Sequence, residues 1–175
     1  MKKNTLIIYS SVDGQTMKIC NRFLKILKEK DERTQLFHIN DFKGKIDQYG
    51  KIIIASSIRY GKHNDKILQL ITENTAVLKS KKTAFVSVNL VARKPEKSTA
   101  ETNPYVKKFL DNLEWKPCKV GVFAGMLDYS KYSFMDKLLI RLIMLITKGP
   151  IFPDSAIEYT DWKKVDNFAK EIIHM

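Results

Sequence analysis

The chain has 175 residues, 44% of them hydrophobic and 29% charged, the balance of one globular domain rather than of a disordered or fibrous segment. Two cysteines and three histidines without metal-ligand spacing leave no disulfide framework and no metal site to expect. The net charge of +12 implies an anionic partner: a nucleic acid, an acidic membrane face or an acidic small molecule.

The apolar run after Met1-Lys2-Lys3-Asn4 is too short for a secretory signal, so a cytoplasmic chain is expected. No run reaches the roughly 18–20 residues that a membrane span needs. Leu6-Ile7-Ile8-Tyr9 suits a strand buried on both faces of a parallel sheet. Cys20, Phe23, Leu24 and Leu27 then recur at helical spacing and form one face of a first helix. Leu36-Phe37-His38-Ile39 is a weaker strand, placed nearer an edge, and Ile52-Ile53-Ile54-Ala55 is a strong one. Ile67, Leu70 and Ile71 mark the next helix, and Thr83 to Val88 the next strand. Val106, Phe109, Leu110 and Leu113 repeat the helical spacing before a strand at Val120 to Ala124. Val165, Phe168, Ala169 and Ile172 repeat it once more, behind a cap at Thr160 or Asp161.

Strand alternating with helix implies a three-layer α/β fold. The expectation is a five-stranded parallel sheet in the order 2-1-3-4-5, with helices on both faces and the site beyond the carboxyl ends of strands 1 and 3. Residues 1–175 read as a single domain. Two stretches exceed the minimal unit, Asn89 to Asn103 and an inserted or extended segment at about 127–153, and both follow strands at the functional edge. Cys20, Cys118, Trp115 and Trp162 read as packing residues.

The seven glycines form neither G-x-G nor Gly-Lys-Ser/Thr, which excludes the dinucleotide fingerprint and the Walker loop. The first loop, Ser10-Ser11-Val12-Asp13-Gly14-Gln15-Thr16, sets hydroxyls around a glycine at a helix start. Such a loop can cradle a phosphate, with backbone N–H groups pointing inward and Gly14 allowing close approach. It also suits an ordinary strand–helix turn capped by Asp13 or Thr16. The third strand runs into Ser57-Ile58-Arg59-Tyr60-Gly61 and the fourth into Ser87-Val88-Asn89-Leu90-Val91. Both tips stand beside the first loop in this topology and could receive a planar ring.

Ser11-x-Asp13-Gly14-x-Thr16 resembles the flavodoxin phosphate loop, with Asp13 where a threonine is usual. Ala55 to Gly61, Ser87 to Lys97 and Tyr159-Thr160-Asp161-Trp162 are similar to the flavodoxin-like, quinone-linked protoporphyrinogen dehydrogenases of bacteria, and Ser87–Lys97 is the most specific stretch. The resemblance covers nearly the whole chain. It implies FMN held by the three loops, oxidation of protoporphyrinogen IX to protoporphyrin IX in heme biosynthesis, and electrons passed to menaquinone or ubiquinone. The two propionates of such a substrate need cations, and Arg59, Arg93, Lys94 and Lys97 lie on the edge where it would stack. Asp13 is the one acid or histidine in these loops and faces the phosphate end, so no catalytic base is assigned and the flavin is the chemical agent.

A helix reads over Phe134 to Thr147, apolar over most of its circumference as far as Ile146, and Lys137, Arg141 and Lys148 fall within roughly a 40° arc. The stretch suits an interfacial helix on an anionic membrane surface, which would place the protein peripherally on the cytoplasmic face of the inner membrane. A buried helix with snorkelling cations suits it equally. Other readings stay open: an FMN-dependent quinone reductase fed by a nicotinamide cofactor, and an electron-transfer flavodoxin, whose usual acidic rim is absent. No nucleic-acid partner is expected, because the cations are dispersed along the chain.

Overall fold

The computed structural model describes residues 4–30, 33–131, 134–146, 149 and 156–175. The strands, in chain order, are β1 (Asn4–Ser10), β2 (Arg33–His38), β3 (Lys51–Arg59), β4 (Lys62–His63), β5 (Lys82–Val88), β6 (Lys119–Phe123), β7 (Met126–Leu127) and β8 (Ile157–Glu158). The helices are α1 (Gln15–Lys28), α2 (Asp65–Glu73), α3 (Thr75–Ser80), α4 (Pro104–Asp111), α5 (Phe134–Ile146) and α6 (Trp162–Ile173).

Five strands pair in parallel in the spatial order β2-β1-β3-β5-β6. The apolar runs stand side by side: Ile7 lies opposite Leu36 and Ile53, and Ile54 opposite Ile8 and Phe85. Successive side chains of a strand point to opposite faces. Ile7, Ile53, Ala84 and Val86 therefore pack under Ile19 and Phe23 of α1 and Val165 and Phe168 of α6. Leu6, Ile8, Ile52, Ile54 and Phe85 pack under Ile67 and Ile71 of α2 and the buried Trp115. The weakest strand pattern, around residues 36–39, belongs to edge strand β2, where less of each side chain is covered.

Polar side chains mark several helix starts. The side chains of Asn64, Asn103 and Asp161 accept from the N–H groups of Lys66, Val106 and Lys164. At the other end of α6, Lys51 is buried and its Nζ donates to Ile172 O at 2.6 Å, placing a cation on the helix's carbonyl end. On the open edge of β6, Lys164 Nζ donates to Val122 O at 3.0 Å and Ser98 O at 2.7 Å, so this stretch of edge is capped by a charge.

Three elements differ from the sequence expectation. The sheet has a sixth strand, because β3 continues into an antiparallel hairpin with β4. Tyr60 and Gly61 both have positive φ, 50° and 77°, the pattern of a tight two-residue hairpin turn. Tyrosine at such a position breaks the usual Asn/Asp/Gly code, so the turn carries no local signature. The helix marked by Ile67, Leu70 and Ile71 is α2, a separate short α3 follows it, and β7 pairs antiparallel with β8 across some 30 residues of chain. The helix read over 134–147 is α5, although Thr147 lies outside the described residues.

Candidate functional site

The loops that follow β1, β3 and β5 enclose a cavity of about 310 Å³. One side is Ser11, Asp13, Gln15 and Thr16; a second is Ser57, Ile58, Arg59, Tyr60 and Gly61; a third is Val88, Asn89, Leu90 and Val91. Tyr105 from the start of α4, Gly125, Met126 of β7, and Ile140 and Ile143 of α5 complete the lining.

At the β1–α1 end the groups are polar. α1 starts with no side-chain cap, because Gly14 holds the N-cap position at φ 88°. The Gly14 N–H donates to Ser11 Oγ at 3.1 Å, so the Ser11 hydroxyl proton is available to an acceptor. Thr16 is 1% exposed and its Oγ1 has no hydrogen-bond partner among the described residues. A buried, unsatisfied hydroxyl costs roughly 1–3 kcal/mol unless something completes it. An anion at the amide end of α1 would complete it, where backbone N–H groups and the helix dipole already favour negative charge. Asp13 does not spoil this end: its carboxylate lies 3.7 Å from Arg59 Nη1, and the pair ties the first loop to the β3–β4 hairpin. The Arg59 guanidinium also lies over the Tyr60 ring, 5.4 Å from its centroid. The other end of the cavity is apolar, walled by Ile58, Leu90, Val91, Ile140 and Ile143 beside the Tyr60 and Tyr105 rings. Hydroxyls and amides at one end and flat apolar walls at the other fit a monophosphate joined to a planar ring, as in FMN.

Four residues of the expected loops stand elsewhere than expected. Ser10 is buried at the end of β1, Val12 is an exposed side chain, Gly14 is the N-cap of α1, and Ser87 is buried; none of the four lines the cavity. Gln15 lines the cavity but its Nε2 is committed, donating to Glu158 Oε1 at 2.9 Å and to Thr160 Oγ1 at 2.8 Å. Gly14 is also explained differently: a Cβ there would meet no protein atom within 4 Å, so glycine answers to the positive φ rather than to crowding by the protein. Of the four candidate substrate cations only Arg59 reaches the cavity. Arg93 Nη1 donates to Leu90 O at 3.0 Å and bends back over its own loop. Lys94 and Lys97 are half-buried and do not line it. Among the packing residues, Trp115 is fully buried and donates to Thr83 Oγ1 at 3.1 Å, whereas Cys118 is exposed rather than packed.

Sequence reasoning missed Tyr105, Gly125, Met126, Ile140 and Ile143 as lining residues. The last two sit on the inner side of α5 with the buried Met144. At 100° per residue Phe134, Leu138, Leu142 and Leu145 fall within an arc of about 80° on another side. All four are exposed, Phe134 to 80% and Leu145 to 63%. Lys137 and Arg141 border that arc; Lys148, the third cation of the stripe, lies outside the described residues. The helix is thus divided between a cavity wall and an uncovered apolar face. Among the described residues no helix is long and apolar enough to cross a membrane.

His63 is buried below the hairpin between the Phe85 and Phe109 rings, and burial pushes its imidazole down to about 3. The folded protein keeps His63 neutral where the unfolded chain, with a value near 6.5, takes up a proton. Between those limits unfolding binds a proton, so stability falls with falling pH by about 1.4 kcal/mol per unit; above pH 6.5 the contribution is complete. Denaturant titrations from pH 7 to pH 4 should show this slope, and His63→Gln should flatten it. An equal slope in the variant would assign the acid sensitivity to other groups.

A family model described as a flavodoxin domain matches residues 6–154. The chain is 39% identical over 172 residues to a protein of Escherichia coli K12 named protoporphyrinogen IX dehydrogenase (quinone), covering 98% of this chain and 95% of that one. It is 38% identical over 168 residues to a Leishmania major protein of the same name, covering 95% of this chain and 73% of the relative. Among solved structures, oxidised Flavodoxin 1 of Bacillus cereus aligns over 98% of both chains at 17% identity and a TM-score of 0.52. A short-chain flavodoxin associated with a bacterial microcompartment aligns over 98% of this chain and 97% of its own at 10% identity and a TM-score of 0.56. These two likenesses concern the fold.

Proposed function

The chain belongs to the flavodoxin-domain family and, within it, to the quinone-linked protoporphyrinogen IX dehydrogenases, and from that premise we propose that it binds FMN in the cavity beyond β1, β3 and β5 and oxidises protoporphyrinogen IX. The electrons go to a membrane quinone. The observation that carries the cofactor assignment is the orphaned, buried Thr16 hydroxyl beside the uncapped start of α1.

When bound, FMN supplies the electron-accepting ring on which the reaction depends. The protein's part is to bind, orient and exclude water. Ser11 and Thr16 would give hydrogen bonds from their hydroxyls to the phosphate, and the first amides of α1 would serve the same group. Tyr60 presents an aromatic face at the mouth, held in an unusual backbone conformation by the hairpin. Leu90, Val91, Ile140 and Ile143 keep the ring's surroundings apolar. Arg59, at the mouth and already paired with Asp13, is the cation within reach of a substrate propionate. Arg93, Lys94 and Lys97 would serve a substrate that extends beyond the cavity.

The outer face of α5 supports docking on an anionic membrane surface. An apolar arc with Lys137 and Arg141 along one border suits the headgroup boundary, and the inserted segment at about 127–153 carries it. A peripheral position on the cytoplasmic leaflet follows, and it brings the cavity to the layer where a quinone is dissolved.

Two measurements test the reading. The purified or reconstituted protein should hold one FMN per chain and no FAD, read by mass spectrometry of the released cofactor. Anaerobic mixing with protoporphyrinogen and a quinone analogue should produce porphyrin fluorescence that depends on both the flavin and the quinone. Stoichiometric FAD, or porphyrin formation unchanged after flavin removal, would overturn it.

A further inference from the structure

Below the cavity four buried side chains link elements that are distant in sequence. Asn103, fully buried at the start of α4, donates from Nδ2 to Asn89 Oδ1 at 3.1 Å and to Lys97 O at 2.9 Å. It therefore staples both ends of the 89–97 loop. Asn89 in turn donates from Nδ2 to Ser87 Oγ at 3.2 Å, while its Oδ1 also accepts from Ala92 N at 3.0 Å and starts the turn that carries Leu90 and Val91. Ser87 Oγ lies 2.9 Å from His63 Nε2 on β4, the strand that anchors the Tyr60–Gly61 turn. Ser87 Oγ accepts from Asn89 and shares one further hydrogen bond with His63 Nε2, in which either group can be the donor. The hydrogen bonds run without a break from Asn103 through Asn89 and Ser87 to His63. A continuous chain of buried hydrogen bonds is stiff, because each broken link leaves a polar group dry.

We propose that Asn103, Asn89, Ser87 and His63 form a positioning relay that sets the Tyr60 hairpin against the 89–97 loop and so fixes the aperture through which a planar ring enters the cavity. None of the four is a catalytic residue; Asn89 alone also touches the cavity, and they act through Tyr60 on one wall and Leu90 and Val91 on the other. The role in ring binding rests on the flavin reading of the cavity, whereas the mechanical linkage does not.

The test uses the full chain with and without FMN. Asn103→Ser keeps a helix cap while removing the amide donors. His63→Gln places an amide oxygen that can accept from Ser87, and His63→Leu does not. Backbone hydrogen exchange of the apo protein reads the linkage. Asn103→Ser should speed exchange in residues 60–63, and His63→Leu in residues 90–97, each by about tenfold, the factor carried by one lost hydrogen bond of ordinary strength. His63→Gln should restore the wild-type rates. With FMN added, the visible circular dichroism of the ring should change in Asn103→Ser and His63→Leu and return in His63→Gln. Exchange that rises only in the element carrying the substitution overturns the relay. Altered exchange with unaltered dichroism in a protein that holds FMN overturns the aperture role, and a wild type that takes up no FMN overturns the flavin reading and with it the aperture role, while the exchange data still decide the linkage.

Discussion

Thr16→Val is expected to weaken FMN by between about ten- and 150-fold, the range for losing a hydroxyl bond to a charged group of roughly 1.5–3 kcal/mol. The same substitution should leave the apo protein at least as stable as the wild type. Valine matches threonine in shape, and the hydroxyl it removes is buried without a partner among the described residues. A loss of affinity joined to no loss of stability is what an anion site predicts, since a hydroxyl working inside the protein would move both together. Gly14→Val should add to the loss by another route. At φ 88° a β-branched residue carries backbone strain of order 1–3 kcal/mol, and the variant must either bear it or turn the first amides of α1 out of line. Flavin fluorescence quenching gives the affinities and thermal melts of the apo proteins give the stabilities. Wild-type affinity in Thr16→Val would move the phosphate to another part of the cavity.

Changing Leu138, Leu142 and Leu145 together to serine is expected to release the protein from anionic vesicles at every salt concentration. Each leucine that enters the headgroup boundary can contribute up to about 1.5–3 kcal/mol, and all three are more than half exposed. Reversing Lys137, Arg141 and Lys148 to glutamate should act differently. Each basic residue near such a surface is worth on the order of 1 kcal/mol, so binding should be lost, and more completely at low salt, where attraction is strongest and repulsion replaces it. Flavin content and activity with a water-soluble quinone should survive in both variants, because Ile140 and Ile143 face the cavity from another side of α5. Co-sedimentation with vesicles across a salt series separates the two effects. Binding that persists in the triple serine variant would take the apolar face out of the membrane contact. Loss of flavin would mean that the outer face supports the cavity wall.

Much of the architecture was legible because it is written locally. The runs at 6–9, 52–55, 83–88 and 120–124 are too apolar for a half-exposed strand, and burial on both faces is what a parallel sheet provides. The helical faces through Phe23, Ile67, Val106 and Val165 follow from spacing alone, and the cap at Asp161 from a single side chain reaching its own helix. That Ser11, Asp13 and Thr16 meet at the cavity was legible for the same reason, since the turn at a strand–helix junction is built from neighbouring residues. The walls of the site were not. The Tyr60–Gly61 turn has positive φ at a tyrosine, a conformation imposed by β4 pairing back on β3 rather than preferred by the residue. Gln15 is held by Glu158 and Thr160 from the far end of the chain, and nothing local to Gln15 announces it. The composition of α5 allowed a core helix and an interfacial helix alike, because periodicity tells which residues share a side but not what covers that side. That Ile140 closes the cavity while Leu138 meets solvent depends on where the chain returns through β7 and β8, and only the packed structure decides it, since a face is buried by whichever distant segment comes to rest on it.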